Sequence, residues 1–222
     1  MTAANDGAAM IEYPIDREGV WCEVRENAAR GGAALFLDRD GVVVEEVSYL
    51  RRVEDVVMVP GAAEVIGAAN RRGIPVVLVT NQAGVGRGIL GWAEFTAIQN
   101  KIIGALASRG ARVDAVYACP HHADAKGVFQ HPDHPARKPN PGMLLRAAAD
   151  LDLDLKKSWL VGDRTIDIEA AQRAGLAGAM QVMTGYGAVE WPRAAALRSE
   201  KFEVRTGRSI ADAATLPVLA DG

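Results

Sequence analysis

The sequence predicts an α/β protein with a doubly wound parallel sheet, helices on both of its faces and no large cap domain. Three observations carry that prediction. Short runs rich in Val, Ile and Leu, too short for helices, recur along the chain. Between them stand segments with helix start and stop signals at both ends. Polar motifs follow directly on the carboxyl ends of the apolar runs, where open α/β sheets bind their ligands.

Taken in order, residues 1–30 are polar and mixed and read as a weakly ordered N-terminal extension, with one strand-like patch at GVWCEV (19–24). AALFL (33–37) is the first buried strand. A helix over 61–72 opens after Pro60 and closes at Gly73, and IPVVLVT (74–80) follows as the second strand. A helix over 92–109 stops at Gly110 before the strand VDAVYA (113–118). The helix over 141–150 takes Asn140 as N-cap with Pro141 in its first position; the strand SWLVG (158–162), a helix over 166–174 closed by Gly175, and the strand GAMQVM (178–183) complete the alternation. Strand alternating with helix defines a Rossmann-like sheet, assigned to a domain spanning 31–187. Residues 188–222 form a C-terminal extension packed on that domain, with a short strand FEVR and a helix SIADAATLPVL covering a sheet edge. The interval between Asp40 and Thr80 holds one helix and a short flap, which leaves no room for a cap.

Composition narrows the partners. A net charge of −3 over 222 residues supplies no general field for nucleic acid or an anionic membrane, and no basic stretch interleaved with aromatics is present. Two cysteines, Cys22 and Cys119, make no disulfide framework, the N-terminus has no signal-peptide pattern, and no apolar run approaches membrane-spanning length. A cytoplasmic monomer acting on a small molecule is the expectation, with neither nucleic acid nor membrane as partner.

Four motifs stand at strand ends or helix starts: DRDG (38–41), TNQAG (80–84), RKPNPG (137–142) and GDRTID (162–167). Asp38, Asp40 and Asp163 would bring three carboxylates together, a concentration of charge that the hard cation Mg²⁺ offsets. Phosphate with a metal is the natural occupant of such a site. Asp38 then suits attack on phosphorus, and Asp40, two residues on, suits protonation of the leaving oxygen and later activation of water. Thr80 and the backbone N–H groups after it would bind the phosphoryl oxygens, and Lys138 would neutralise their charge. Alone, a DxDG at a strand end reads as a solvated turn; the ordered set reverses that reading. An EF-hand is excluded, since its spacing from Asp38 puts Val43 at the required glycine and Tyr49 at the required glutamate.

The order DRDG, TNQAGVGRG, RKPNPGM, GDRxxD over residues 33–187 resembles the haloacid-dehalogenase-like phosphatases, in the branch that contains heptose bisphosphate and histidinol-phosphate phosphatases. The resemblance implies Asp38 as nucleophile, Asp40 as general acid/base, and Mg²⁺ held by Asp38, the backbone carbonyl of Asp40, and Asp163. It implies that Thr80, Arg137 and Lys138 stabilise the phosphoryl group, and that Glu46, Ser48, Tyr49, Asn81 and Gln82 contact substrate. Arg137, whose planar fork can take a phosphate bidentately, favours a bisphosphate, specifically the heptose 1,7-bisphosphate, over histidinol phosphate. A signalling phospho-acceptor is the reading from a different class; Asp40 and Asp163 argue against it.

Two further features need a reading. GRGILG (86–91) matches a dinucleotide fingerprint but begins past the first turn after its strand; its glycines serve a close backbone approach to phosphate or a positive φ. All four histidines fall within 119–134, which suggests a metal. The resembling branch carries a zinc loop of Cys-x-His and then Cys-x-Cys, and here the matching positions are Cys119, His121, His134 and Ala136. Zn²⁺ on Cys119, His121 and His134 would need His122, His131 or Asp133 to complete it, and a proline-pinned loop without metal is preferred.

Overall fold

The computed structural model describes residues 12–220. Its centre is a sheet of seven strands in the order β1-β4-β3-β2-β5-β6-β7. The strands are β1 Trp21–Val24, β2 Leu35–Leu37, β3 Val76–Asn81, β4 Ala115–Cys119, β5 Trp159–Gly162, β6 Gly178–Val182 and β7 Glu203–Gly207. All neighbours run parallel except β1, which pairs antiparallel with β4. The strand order reverses at β2, which lies between β3 and β5, so the loops after these three strands open into one crevice.

Two apolar layers flank the sheet, because successive side chains on a strand point to opposite faces. Leu35 and Leu37 join one layer with α1 (Ala62–Arg71) and α3 (Trp92–Ala107), through residues such as Ile66, Phe95 and Ile98. Phe36 joins the other with α4 (Gly142–Leu151), α5 (Thr165–Ala174) and α6 (Gly187–Ala195), through Met143, Ile168 and Ala194. A short helix, α2 (Ala83–Gly86), follows β3 directly. Between Asp40 and α1 the chain makes only a small flap, tied by the Val44–Met58 bridge and one 3₁₀ turn, Val53–Asp55. No cap domain interrupts it.

Several expectations change on contact with the tertiary structure. The part of the N-terminal extension that is described is fastened rather than weakly ordered: β1 completes one edge of the sheet, and Trp21 packs against Phe95 and Trp92 at ring-centroid distances of 5.0 and 5.5 Å. Residues 1–11 of that extension lie outside the described residues. Asn140 does not cap α4. Pro141 takes the N-cap, and the Asn140 amide donates to Asp133 Oδ1 (2.6 Å) and to the carbonyl of His134 (3.2 Å). Beyond residue 187, α6 forms despite Pro192 in its interior. FEVR becomes β7, itself an edge strand of the sheet, and the terminal helix resolves into two 3₁₀ turns, Ile210–Thr215 and Pro217–Leu219. Pro217, lacking an N–H, ends any continuous α-helix there.

Candidate active site

The crevice at the ends of β2, β3 and β5 has a volume of about 450 Å³. Every residue the sequence offered as catalytic, substrate-contacting or Mg²⁺-holding lines it, joined by Arg39, Arg87, His122, Arg164 and Tyr186.

At its floor lies a charged cluster. Asp38 leaves β2 with its N–H on the carbonyl of Val161, and its Oδ1 accepts from the N–H of Arg39 at 2.7 Å. Lys138 reaches in from the loop before α4 and is 2% exposed. Its ammonium contacts Asp38 Oδ1 (2.9 Å), Asp167 Oδ1 (2.6 Å) and the carbonyl of Val79 (2.8 Å), so its three protons have three acceptors. Asn81 sets this lysine in place: its amide donates to the carbonyl of Lys138 and its Oδ1 accepts the Lys138 N–H. The side chain expected at the substrate is thus committed to the backbone.

Asp163 follows β5 and completes the group. Asp38, Asp163 and Asp167 each offer an oxygen within 4.8 Å of the others. Two glycines at positive φ, Gly41 and Gly185, shape the space around Asp163, and a Cβ on either would overlap its Oδ2. That oxygen accepts the Tyr186 N–H at 2.8 Å, while Oδ1 is buried without a partner. Burial, then Asp38 and Asp167, pushes the Asp163 carboxyl up to about 8. Burial, with Asp167 and Asp40 and against Lys138, pushes Asp38 up to about 7. For Lys138 burial works downward, but Asp167 and Asp38 outweigh it and hold the ammonium charged. One ammonium among three carboxylates leaves an excess of negative charge, and an orphaned buried oxygen faces it. A divalent cation fits that donor set.

Asp40 stands apart from the cluster. The Arg39 guanidinium, 2% exposed, forks onto both of its oxygens at 2.9–3.2 Å, and its Cζ lies over the Phe95 ring, 5.4 Å from the ring centre. Gln82 donates to Asp40 Oδ2 (3.0 Å) and to Thr80 Oγ1 (2.9 Å). Gln82, expected at the substrate, therefore bridges two catalytic candidates. Arg39 and Asp167 escaped the sequence reading of roles. The i, i+4 spacing of Asp163 and Asp167 across a helix start was the available signal for the second; nothing local marks the first.

The rim is cationic. Tyr49, a non-glycine residue at φ 57°, hydrogen-bonds Arg87, which also contacts His122 and Asp124. Arg164 pairs with Glu190 at 3.2 Å. Arg137 donates to the carbonyl of His121 at 3.0 Å, and among the described residues no carboxylate pairs with it. Cys119 is buried at the end of β4, and burial pushes its thiol up to about 12. The rings of His121 and His134 stack at 3.7 Å. Within GRGILG, Arg87 lines the cleft, Gly86 packs against the carbonyl of Pro120, where a Cβ would overlap it, and Gly88 adopts φ 70°.

A fold of this topology with an aspartate cluster at the β2/β5 crevice is that of the HAD-like hydrolases, and the HAD-hydrolase-like family model matches residues 135–203. Similarity over the longer span is decisive, and the chain belongs to this family: it is 44% identical, over 74% of its own length and 77% of the relative's, to D-glycero-beta-D-manno-heptose-1,7-bisphosphate 7-phosphatase of Mesorhizobium japonicum. It is also 44% identical to the Burkholderia mallei enzyme named for the alpha anomer, over 64% and 76% of the two chains. Among solved structures, a HAD-like phosphatase of Mesorhizobium loti superposes with a TM-score of 0.82 at 37% identity, covering 94% of this chain and 95% of that one. The D,D-heptose 1,7-bisphosphate phosphatase of B. bronchiseptica, complexed with magnesium and phosphate, superposes at 0.72 with 33% identity over 82% and 96%.

Proposed function

We propose that this chain is a Mg²⁺-dependent phosphatase that removes a phosphate from D-glycero-D-manno-heptose 1,7-bisphosphate. The observation that carries the reading is the convergence of Asp38, Lys138, Asp163 and Asp167 in one crevice, with the oxygen Asp163 Oδ1 unpartnered. Similarity to heptose bisphosphate phosphatases supports the substrate, as does Arg137, a cleft-lining guanidinium with no carboxylate beside it among the described residues.

The steps follow from the donors. Lys138 and the Arg39 N–H hold Asp38 by Oδ1, which leaves Oδ2 to attack phosphorus. The P–O bond to the sugar breaks as the Asp38–phosphorus bond forms, and Asp40 gives its proton to the leaving sugar oxygen. Asp40 then takes a proton from water as that water attacks phosphorus, the Asp38–phosphorus bond breaks, and inorganic phosphate departs. Thr80 and Lys138 stabilise charge on the phosphoryl oxygens, and Arg39 and Gln82 aim Asp40. Asp38, Asp163 and the carbonyl of Asp40 would hold Mg²⁺, which when bound would supply Lewis-acid stabilisation of phosphoryl charge.

A screen of phosphate release over sugar monophosphates, bisphosphates and histidinol phosphate tests the reading. The heptose bisphosphate should give the highest kcat/KM, Asp38→Asn should abolish turnover with the fold retained, and Asp40→Asn should lower the rate by roughly 10²–10⁴. Near-native activity of Asp38→Asn would refute the nucleophile.

A further inference from the structure

The loop from Cys119 to Lys138 carries the residues that match a zinc loop in the resembling branch, and its geometry does not fit that metal. Position 136 is alanine, which offers no donor atom. The rings of His121 and His134 are 3.7 Å apart and inclined by only 1°. A metal bound to an imidazole lies in the plane of the ring, along the nitrogen lone pair, so two rings in separate parallel planes share no point at which one ion could bind both. The nitrogens are also largely spent. His134 Nδ1 accepts the N–H of Ala136 at 3.1 Å, and His121 Nε2 contacts the carbonyl of Glu18 at 2.8 Å. His121 Nδ1 is left as a single buried unpartnered atom, too little to hold an ion. The candidates to complete a site are engaged as well: His122 accepts the N–H of Asp124 and contacts Arg87, His131 accepts the N–H of Asp133, and Asp133 holds Asn140. Among the described residues, three converging His, Cys, Asp or Glu ligand atoms occur only at Asp38, Asp163 and Asp167.

What touches the stack instead is the N-terminal segment. Asp16 turns it by accepting the N–H groups of Glu18 and Val20, both at 3.0 Å, and β1 then fixes it to β4. Glu18 offers its carbonyl to His121 and brings its carboxylate to 3.5 Å from His134 Nε2. Phe129 and His121 meet edge to face, and Gly19, at φ 82°, lets the segment pass so close to the Phe129 ring that a Cβ would lie 2.6 Å from it. The backbone of the same two residues holds Arg137, whose guanidinium donates to the carbonyl of His121 and whose N–H donates to the carbonyl of His134.

We propose that this loop is fastened without zinc, that the segment 16–24 clamping the His121–His134 stack does the fastening, and that Arg137 is thereby positioned over the cleft. The link to Arg137 rests on the function proposed above; the metal content and the unfolding temperature do not, so the two can fail separately. The full chain, expressed in zinc-supplemented cells, is assayed for zinc by plasma mass spectrometry and for Tm with and without a zinc-selective chelator in the presence of Mg²⁺. Zinc far below one per chain and an unchanged Tm are expected; one zinc per chain, with a Tm that falls on its removal, overturns the proposal. His134→Phe keeps a stacked ring and cannot bind metal, so it should hold Tm near the native value, whereas His134→Ala and Gly19→Val should lower it. The latter two should raise KM for the bisphosphate several-fold with kcat within about twofold. If His134→Phe loses as much as His134→Ala, the stack is not the fastener; if Gly19→Val changes neither Tm nor KM, the segment is not the clamp.

Discussion

Arg137 and Glu46 show how single side chains divide the work of one cleft. A half-buried guanidinium with only a carbonyl as partner keeps donors for an anion. Arg137→Lys preserves the charge but loses the fork, and kcat/KM should fall by about 1–3 kcal/mol, the range for a charge-assisted hydrogen bond. A loss confined to bisphosphates puts the fork on the remote phosphate; an equal loss for monophosphate esters puts it at the reacting phosphorus. Glu46 is the opposite case. Burial, then the nearby Asp40, pushes its carboxyl from 4.5 up to about 7, so the folded state holds this proton more tightly than the unfolded chain. Stability is therefore lost as pH rises from 4.5 through about 7. Glu46→Gln should recover roughly 1 kcal/mol at pH 8, after solvent screening, and nothing at pH 4. Tm against pH for both proteins measures it, and parallel curves would remove Glu46 from the account.

At the scale of elements, α2 and the strand ends do the positioning. Thr80, Asn81 and Gln82 stand together at the end of β3, yet only the Asn81 side chain is bonded to backbone, where it clamps Lys138; Gln82 bridges Thr80 and aims Asp40. Their order along one strand end was legible, but which way each pointed depended on β2 and on the loop before α4, both distant in sequence. Gly86 shows the same limit. Its place in GRGILG suggested a close approach to phosphate or a positive φ, and here it lets α2 meet the carbonyl of Pro120. Gly86→Ala should cost about 1–3 kcal/mol by overpacking against backbone that cannot yield. Urea unfolding measures this, and an unchanged midpoint at equal m would show that the loop gives way.

For the whole molecule, no cap domain stands over the cleft among the described residues, and the charge balance of the aspartate cluster at the carboxyl ends of β2 and β5 depends on a cation. Chelation by EDTA should stop turnover, Mg²⁺ should restore it, and Mg²⁺ alone should raise Tm, since binding to the native state stabilises it by mass action. Full activity in excess chelator would take the metal out of the account.

What the sequence by itself determined is the alternation of strand and helix, the parallel sheet, and the four motifs that reach its carboxyl edge. These depend on local signals: runs of β-branched residues, glycine and proline at element ends, and acidic residues two apart at a strand end, each readable within a dozen positions. Tertiary structure alone decided the rest. That Arg39 turns back onto Asp40 under Phe95, that Asp167 shares Lys138 with Asp38, and that residues 16–24 clamp two stacked histidines are all outcomes of long-range packing. No periodicity encodes them, because each is fixed by which buried polar group finds a partner once the sheet has closed around it.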